Sequence, residues 1–357
     1  MQSRVDLLTA GEEAAFTTLL ILILIFGFFG NIAVCVAICK DHHLRQQIPN
    51  ALIFNLALTD LLTVTLVVPF CVSAIQREDW VFGHFWCQTT AFLYYTFAIV
   101  SLESLAFISL DRFYAICRPL QYRSAVTTKR LIPVIMLSWV WAIVFTTPCI
   151  FMGWFRFGQY ESLCTYTFDG TGEKWKTAVI TYSIITIITC IVVPFLLLLY
   201  SYVRIFAAVR HQNKRVATQQ QLQHQQQLQH QQSNNRPRRR TLWNVNTAYK
   251  GYRTIVLIVI LFLLSWAPFS VTRLIKIFLW NHEAVPAGAD TFATVFSFLS
   301  AAANPLAYGL FRKDFRRAFA KLFCQAVQYV TCGRVNVEEQ QREHSMNRAT
   351  SGVQNRD

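Results

Sequence analysis

Charge is the scarce ingredient of this sequence. Asp, Glu, Lys and Arg make up 15% of its 357 residues, while 54% are apolar. An ordinary soluble domain carries roughly 25% charged residues. A chain this short of charge cannot keep a water-facing shell, which excludes the common soluble enzyme classes. Acids are scarcer than bases, 19 against 33, and the formal net charge is +14. The stretch before the first apolar run has no asparagine, hence no N-x-S/T sequon, and it lacks the cationic segment of a cleaved signal peptide. That run therefore reads as a retained membrane span. Nor do the ten cysteines form a disulfide scaffold, because most of them lie inside apolar runs.

What is present is a series of long uncharged windows. Five contain no charge at all: Ala14–Cys39, Leu131–Phe155, Thr177–Val203, Thr254–Thr272 and Thr291–Phe311. Two more hold one acid each, Gln46–Gln76 with Asp60 and Val81–Leu110 with Glu103. About 20 helical residues cross the hydrocarbon core of a bilayer, and none of these windows alternates as a β-barrel strand does. The expected fold is an all-α membrane protein, a seven-transmembrane helix bundle over residues 14–311, with residues 1–13 as an outer N terminus.

Lys and Arg set the orientation, since cytoplasmic loops carry their excess. Lys40 and Arg45 fall in one candidate inner loop, and Arg118, Arg123, Lys129 and Arg130 in the next. A third, between Arg204 and Arg253, is the most basic. On the opposite side Arg77 is balanced by Glu78 and Asp79, and Arg156, Lys174 and Lys176 by Glu161, Asp169 and Glu173. The N terminus is expected outside the plasma membrane and the tail in the cytoplasm. The positive charge is then a topology signal with attraction for anionic membrane lipids, and it does not point to nucleic acid. Only Cys87 and Cys164 fall at outer positions. An oxidising exterior predicts a disulfide between them.

The third inner loop, at about residues 206–249, contains QQQLQH twice, from Gln219 to His224 and from Gln225 to His230. It reads as a disordered polar tract or as a helical extension of span five, because Gln and Leu tolerate helix. After the last span, Phe311, Phe315, Phe319 and Phe323 recur every four residues among basic ones. Residues 312–324 are thus expected to form an amphipathic helix on the inner membrane surface. Cys324 directly after it is a candidate for palmitoylation, and residues 325–357 read as a flexible cytoplasmic tail.

The candidate functional residues are polar groups and prolines placed one or two to a span. Intramembrane ionisable groups are functional candidates by default, and prolines leave kinks that serve as pivots. In order they are Gly30-Asn31, Leu56 to Asp60 (LALTD), Asp111-Arg112-Phe113, Pro119-Leu120, Trp139, Pro194 with Tyr202, Trp266 to Pro268, and Asn304 to Tyr308 (NPLAY) with Phe315. This series resembles the rhodopsin-like (class A) G-protein-coupled receptors from span one to the inner-surface helix. Its best-matching stretches, Arg77 to Cys87 and Phe298 to Leu310, look most like orphan members near the amine-like branch.

The resemblance implies a signalling protein and not an enzyme, with a heterotrimeric G protein, arrestin and receptor kinases as partners. It implies coupling through Asp111, Arg112, Leu120, Tyr202 and Tyr308. An activation switch would comprise Leu102, Pro194, Phe262, Trp266, Pro268, Asn304 and Pro305. The alternative function is a constitutively active receptor or scaffold with no small ligand. Asp60, Ser101, Ser300 and Asn304 would hold a sodium ion with hard oxygen ligands or form a water-filled polar cluster. Ser300 and Ala301 depart from the family pattern there, which has Asn and Ser. Many relatives pair the span-three arginine with an acid at the inner end of span six. Ala248 stands at that position, which predicts measurable basal activity.

Two further departures concern the ligand. Tyr94 replaces the aspartate that amine-binding relatives use as a counter-ion, and Phe298 replaces the lysine that holds retinal. Neither an amine receptor nor a retinal pigment is expected. The pocket wall would be aromatic, from Tyr94, Tyr95, Trp266, Phe269 and Phe298, with Phe168 as a lid, unless these rings fill it themselves. Arg273 and Lys276 lie at i and i+3 on the outer turns of span six. They either hold an anionic group of the ligand or pair with Asp290 at the start of span seven. On the first reading the ligand is neutral or anionic, with an aromatic or apolar body.

Overall fold

The computed structural model describes residues 8–125, 127–166, 173–229, 242–325 and 327–328. The first span is α1 (Ala10–Lys40), and it starts ahead of the charge-free window. The Thr9 hydroxyl accepts from the Glu12 amide at 3.3 Å, and the Glu12 carboxylate accepts from the Thr9 amide at 2.9 Å. That reciprocal cap satisfies two free donors and puts Glu12 and Glu13 at the positive end of the helix. Residues 10–13, expected in the outer N terminus, are therefore helical.

A short α2 (His42–Gln46) follows, capped by Asp41, and then span two, which is split into α3 (Asn50–Leu66) and α4 (Val68–Arg77). The break sits at Val67 beside Pro69, which has no amide proton to continue the ladder. Span three is α5 (Gly83–Cys117), followed by α6 (Pro119–Ala125) and by span four, α7 (Thr128–Phe151). Strands β1 (Phe155–Gly158) and β2 (Leu163–Tyr166) then pair antiparallel as a hairpin, with Phe157 opposite Cys164.

Span five is α8 (Glu173–Thr186), a π-helical turn over Ile187–Val192, and α9 (Val193–Gln229). The widened turn immediately precedes Pro194, whose ring and missing donor disfavour regular winding there. α9 continues as one helix through the Gln-rich tract. Up to Gln229 the alternative of a helical extension of span five therefore holds: a chain rich in Gln, Leu and Ala pays little for helix once the span has nucleated it. Residues 230–241 lie outside the described residues. Span six is α10 (Leu242–Leu279). Span seven is α11 (Ala287–Ser297) and α12 (Leu299–Phe311), interrupted at Phe298, and residues 313–325 form α13.

Among the described residues, seven helical segments are long and apolar enough to cross a membrane. α5 runs through the middle and touches α3, α7, α9 and α10. Buried hydrogen bonds fasten spans that share no charge. Asn31 Nδ2 donates to the Ala301 carbonyl at 2.8 Å, joining spans one and seven. Asn55 joins span two to Ser104 of span three and to the Trp139 indole of span four, both at 2.9 Å. At Gly30 an added Cβ would lie 2.7 Å from Pro305, so this contact between spans one and seven requires glycine. Phe29, Leu137, Leu264 and Leu310 point away from the bundle. Such a surface suits lipid, not water.

Candidate functional site

The functional residues form three levels along the bundle. The first is at the end bearing the hairpin. The Cys87–Cys164 disulfide, with Cα atoms 5.3 Å apart, pins β2 to the start of α5. From there the hairpin turns into the bundle. Leu163 is fully buried in a cluster with Tyr94, Phe269, Phe298 and Ile75, and Tyr160 packs against the same cluster. Thr291 Oγ1 donates to the Tyr160 carbonyl at 2.8 Å. The Tyr95 and Thr165 hydroxyls meet at 2.6 Å. The aromatic pocket foreseen from sequence is thus filled by its own rings and by the loop.

Arg273 and Lys276 do not face open space there. Arg273 Nη1 lies 3.0 Å from Glu161 Oε1, its Nη2 meets the Thr165 hydroxyl, and Lys276 Nζ lies 2.8 Å from the same Glu161 oxygen. Lys276 also contacts Asp290 Oδ2. All four charged residues are buried. Pairing with Asp290 therefore falls to Lys276, while Glu161 engages both cations. Burial raises the Glu161 carboxyl, but Arg273 and then Lys276 outweigh it and hold it below the usual carboxylate range. By sequence Glu161 counts only toward the charge balance of its loop, and no local signal places it inside. Phe168 lies outside the described residues.

The second level is an aromatic layer over a polar cavity. Tyr94 stacks on Trp266 at 5.5 Å and Trp266 on Phe262 at 5.9 Å, and the Tyr94 hydroxyl meets Ser297 Oγ at 2.8 Å. Beneath lies a cavity of about 20 Å³ lined by Asp60, Ser101, Ser300, Trp266 and Phe262, among others. That is room for one water or one small ion. Asn304 Nδ2 donates to Asp60 Oδ2 at 2.7 Å, Thr59 and Ser101 share a hydrogen bond at 2.9 Å, and Ser300 donates to the Ser297 carbonyl. Asp60, Ser101 and Ser300 bring oxygen donors to one space, and Asn304 adjoins it through the carboxylate.

The third level is the basic end. Arg112 Nη2 lies 3.1 Å from Asp111 Oδ2, and Asp111 Oδ1 accepts from the Tyr122 hydroxyl of α6 at 2.7 Å. Tyr122 was not foreseen as part of this site. Ser109 Oγ donates to the Tyr202 hydroxyl at 2.9 Å. Tyr308 is buried and stacks on Phe315 at 5.3 Å, with the Arg312 guanidinium over the same ring. Arg312 also donates to Asn50 Oδ1 at 3.1 Å, which ties the α12–α13 corner to the start of span two. Leu120 is 94% exposed at the start of α6. In α13, Phe315 and Phe319 face the bundle, whereas Phe323 and Cys324 are exposed. Of the foreseen switch, Leu102, Pro194, Phe262, Asn304 and Pro305 are buried, while Trp266 and Pro268 are partly so.

Comparison with known proteins agrees with this arrangement. The family model "7 transmembrane receptor (rhodopsin family)" matches residues 30–308. The guinea pig (Cavia porcellus) 5-hydroxytryptamine receptor 4 is 29% identical over 320 residues, covering 88% of this chain and 80% of the receptor. Human G-protein coupled receptor 161 is 28% identical over 315 residues, 84% of this chain and 57% of that protein. The crystal structure of squid rhodopsin superposes with a TM-score of 0.71 at 24% identity, covering 88% of this chain and 87% of the other. This family is one of receptors, not of enzymes, and its likenesses agree with the amine-like branch inferred from the motifs. The chain belongs to the rhodopsin family of seven-transmembrane receptors and is a multi-pass G-protein-coupled receptor.

Proposed function

We propose that the hairpin end faces the outside of the plasma membrane and the basic end the cytoplasm, where Arg112 and Leu120 engage the G protein. One observation carries the reading. A single apolar cluster contains Leu102, Phe262, Tyr308 and Phe315, with Trp266 and Tyr202 packed against it. A shift of Trp266 under the pocket is then felt at the cytoplasmic rim, because packed cores have discrete arrangements and do not deform continuously. Arrestin and receptor kinases would approach the same rim, and α13 would lie on anionic lipid, with Cys324 exposed to acylation.

Leu120 tests the coupling face. It supports no packing in the free receptor, so Leu120→Ala should leave folding intact. It removes an apolar side chain worth about 1.5–3 kcal/mol when buried at an interface. Part of that loss predicts a fall in G-protein activation of about fivefold at equal surface expression. An unchanged activation rate would remove Leu120 from the interface.

The cavity by Asp60 fits one hard cation, with the carboxylate and the Ser101 and Ser300 hydroxyls as ligands. We infer that sodium there favours the resting state. Replacing sodium by a large organic cation should raise basal signalling of the wild-type receptor and leave Asp60→Asn unmoved. Equal responses in the two would assign the cavity to water. Tyr94 leaves an amine without a counter-ion, so the proposed ligand is neutral or anionic with an apolar or aromatic body.

A further inference from the structure

The four buried charges at the hairpin end are unevenly shared. Among the described residues Asp290 pairs with Lys276, within the helix bundle, while Glu161 arrives from the loop and touches both Lys276 and Arg273. Remove Glu161, and two cations face one carboxylate. Charge balance in a buried site then requires one anion. Arg273 is placed to take it: Nη1 holds Glu161, while among the described residues the buried Nε has no hydrogen-bond acceptor. A guanidinium offers two neighbouring donors to a planar carboxylate, Nε with Nη2 or Nη1 with Nη2, and Glu161 uses Nη1 alone. The Arg273 guanidinium is further held by the Thr165 hydroxyl and lies over the Phe269 ring. Its position is therefore set by β2 and α10 as well as by Glu161.

Glu161 is also the one member of the set that does not stand on a membrane-spanning helix. Arg273, Lys276 and Asp290 stand on membrane-spanning helices. Glu161 lies in the turn between β1 and β2, beside Ser162, which takes a left-handed backbone at φ 51°. In the same structure Arg112 holds Asp111 and Tyr308 stacks on Phe315 at the basic end. Below the tip, Leu163 presses on the cluster that contains Tyr94 and Phe269, with Trp266 packed against it.

We propose that Arg273 and Lys276 form a carboxylate-binding site which Glu161 of the second outer loop occupies at rest, making the hairpin a built-in occupant that an acidic ligand displaces. This rests on the receptor reading above and deepens it by naming the ligand's chemistry. An activating ligand must bring an acidic group, because a neutral one would leave two cations against Asp290 alone. When Glu161 leaves, Leu163 loses its seat and the aromatic layer beneath is free to repack.

Chemical rescue tests the site. Glu161→Ala, at surface expression matched to wild type, should raise ligand-independent G-protein activation at least threefold. Added propionate, entering the vacated site without carrying the loop's pull, should stabilise the variant against heat in purified form, and propionamide should not. The Glu161→Ala, Arg273→Gln double variant should lose that propionate effect. Should Glu161→Ala reach the surface poorly, Glu161→Gln with Arg273→Gln keeps the charges balanced and leaves Lys276 with Asp290; it should show the same rise. Basal signalling that stays level or falls in both variants overturns the built-in occupant. Propionate that protects no better than propionamide overturns the carboxylate site. Addition of Arg112→Ala separates this from failure of the coupling reading. If the elevated signal survives that substitution, the assignment of Arg112 is at fault, whereas the heat-stability result for propionate stands or falls without it.

Discussion

Receptor carrying Arg112→Ala is expected at the cell surface in near-normal amount and without measurable G-protein activation. Both halves follow from where Arg112 sits. Its side chain is 28% exposed at the basic end of α5, and its ionic partner is the neighbouring Asp111. A partly exposed pair of this kind contributes about 0–1 kcal/mol to stability. Asp111 keeps the Tyr122 hydroxyl when Arg112 is removed, so the loss does not strand it. Folding should therefore survive. Coupling should not, because on the proposed reading Arg112 shares the G-protein face with the exposed Leu120, which starts the helix whose Tyr122 holds Asp111. The measurement is nucleotide exchange on the G protein, normalised to surface receptor counted by an antibody against an N-terminal tag. Exchange within twofold of wild type would place the cytoplasmic switch elsewhere.

The spans were legible because each is a long uncharged window, a property that survives any packing. The polar residues within them were legible too, since an Asp60 or Asn304 in hydrocarbon must find a partner, and these two found each other. The pivots were partly legible. Pro194 announces a disturbance of span five, but not that the preceding turn winds as π-helix. The run around Gln219 was ambiguous for a physical reason: its composition permits helix without demanding it, and continuity with span five decided. The hairpin end was the least legible level. Alternation over four-residue strands is too short to signal β structure, and loop acids ordinarily face water. Nothing in the local sequence says that Glu161 is carried inside. That follows only when the Cys87–Cys164 disulfide and the β1–β2 pairing fix where the turn must go. Arg273 and Lys276 were recognised as a same-face pair, yet their partners come from 112 and 115 residues away for Glu161 and from 14 residues away for Asp290.

The same level gives the largest expected effect on stability. Lys276 is fully buried and touches both Glu161 and Asp290. Lys276→Met keeps the volume and the apolar stem but leaves two buried carboxylates to share Arg273. Breaking a buried ion pair from one side costs about 3–5 kcal/mol, because the orphaned charge has no solvent to return to. At the usual unfolding entropy per residue, each kcal/mol moves the midpoint of a 357-residue chain by about 1.3 °C, so detergent-solubilised receptor should unfold roughly 5 °C lower, with surface expression falling in step. Adding Asp290→Asn should restore most of the loss. The double variant again has one cation and one carboxylate, Arg273 with Glu161 at 3.0 Å, and no orphan. Replacing both members of a buried pair is often close to neutral where replacing one is not. If Lys276→Met melts with wild type, the contacts to Glu161 and Asp290 contribute nothing net. If the single variant is destabilised and Asp290→Asn fails to rescue it, the loss lies in packing around the lysine stem and not in the stranded carboxylate.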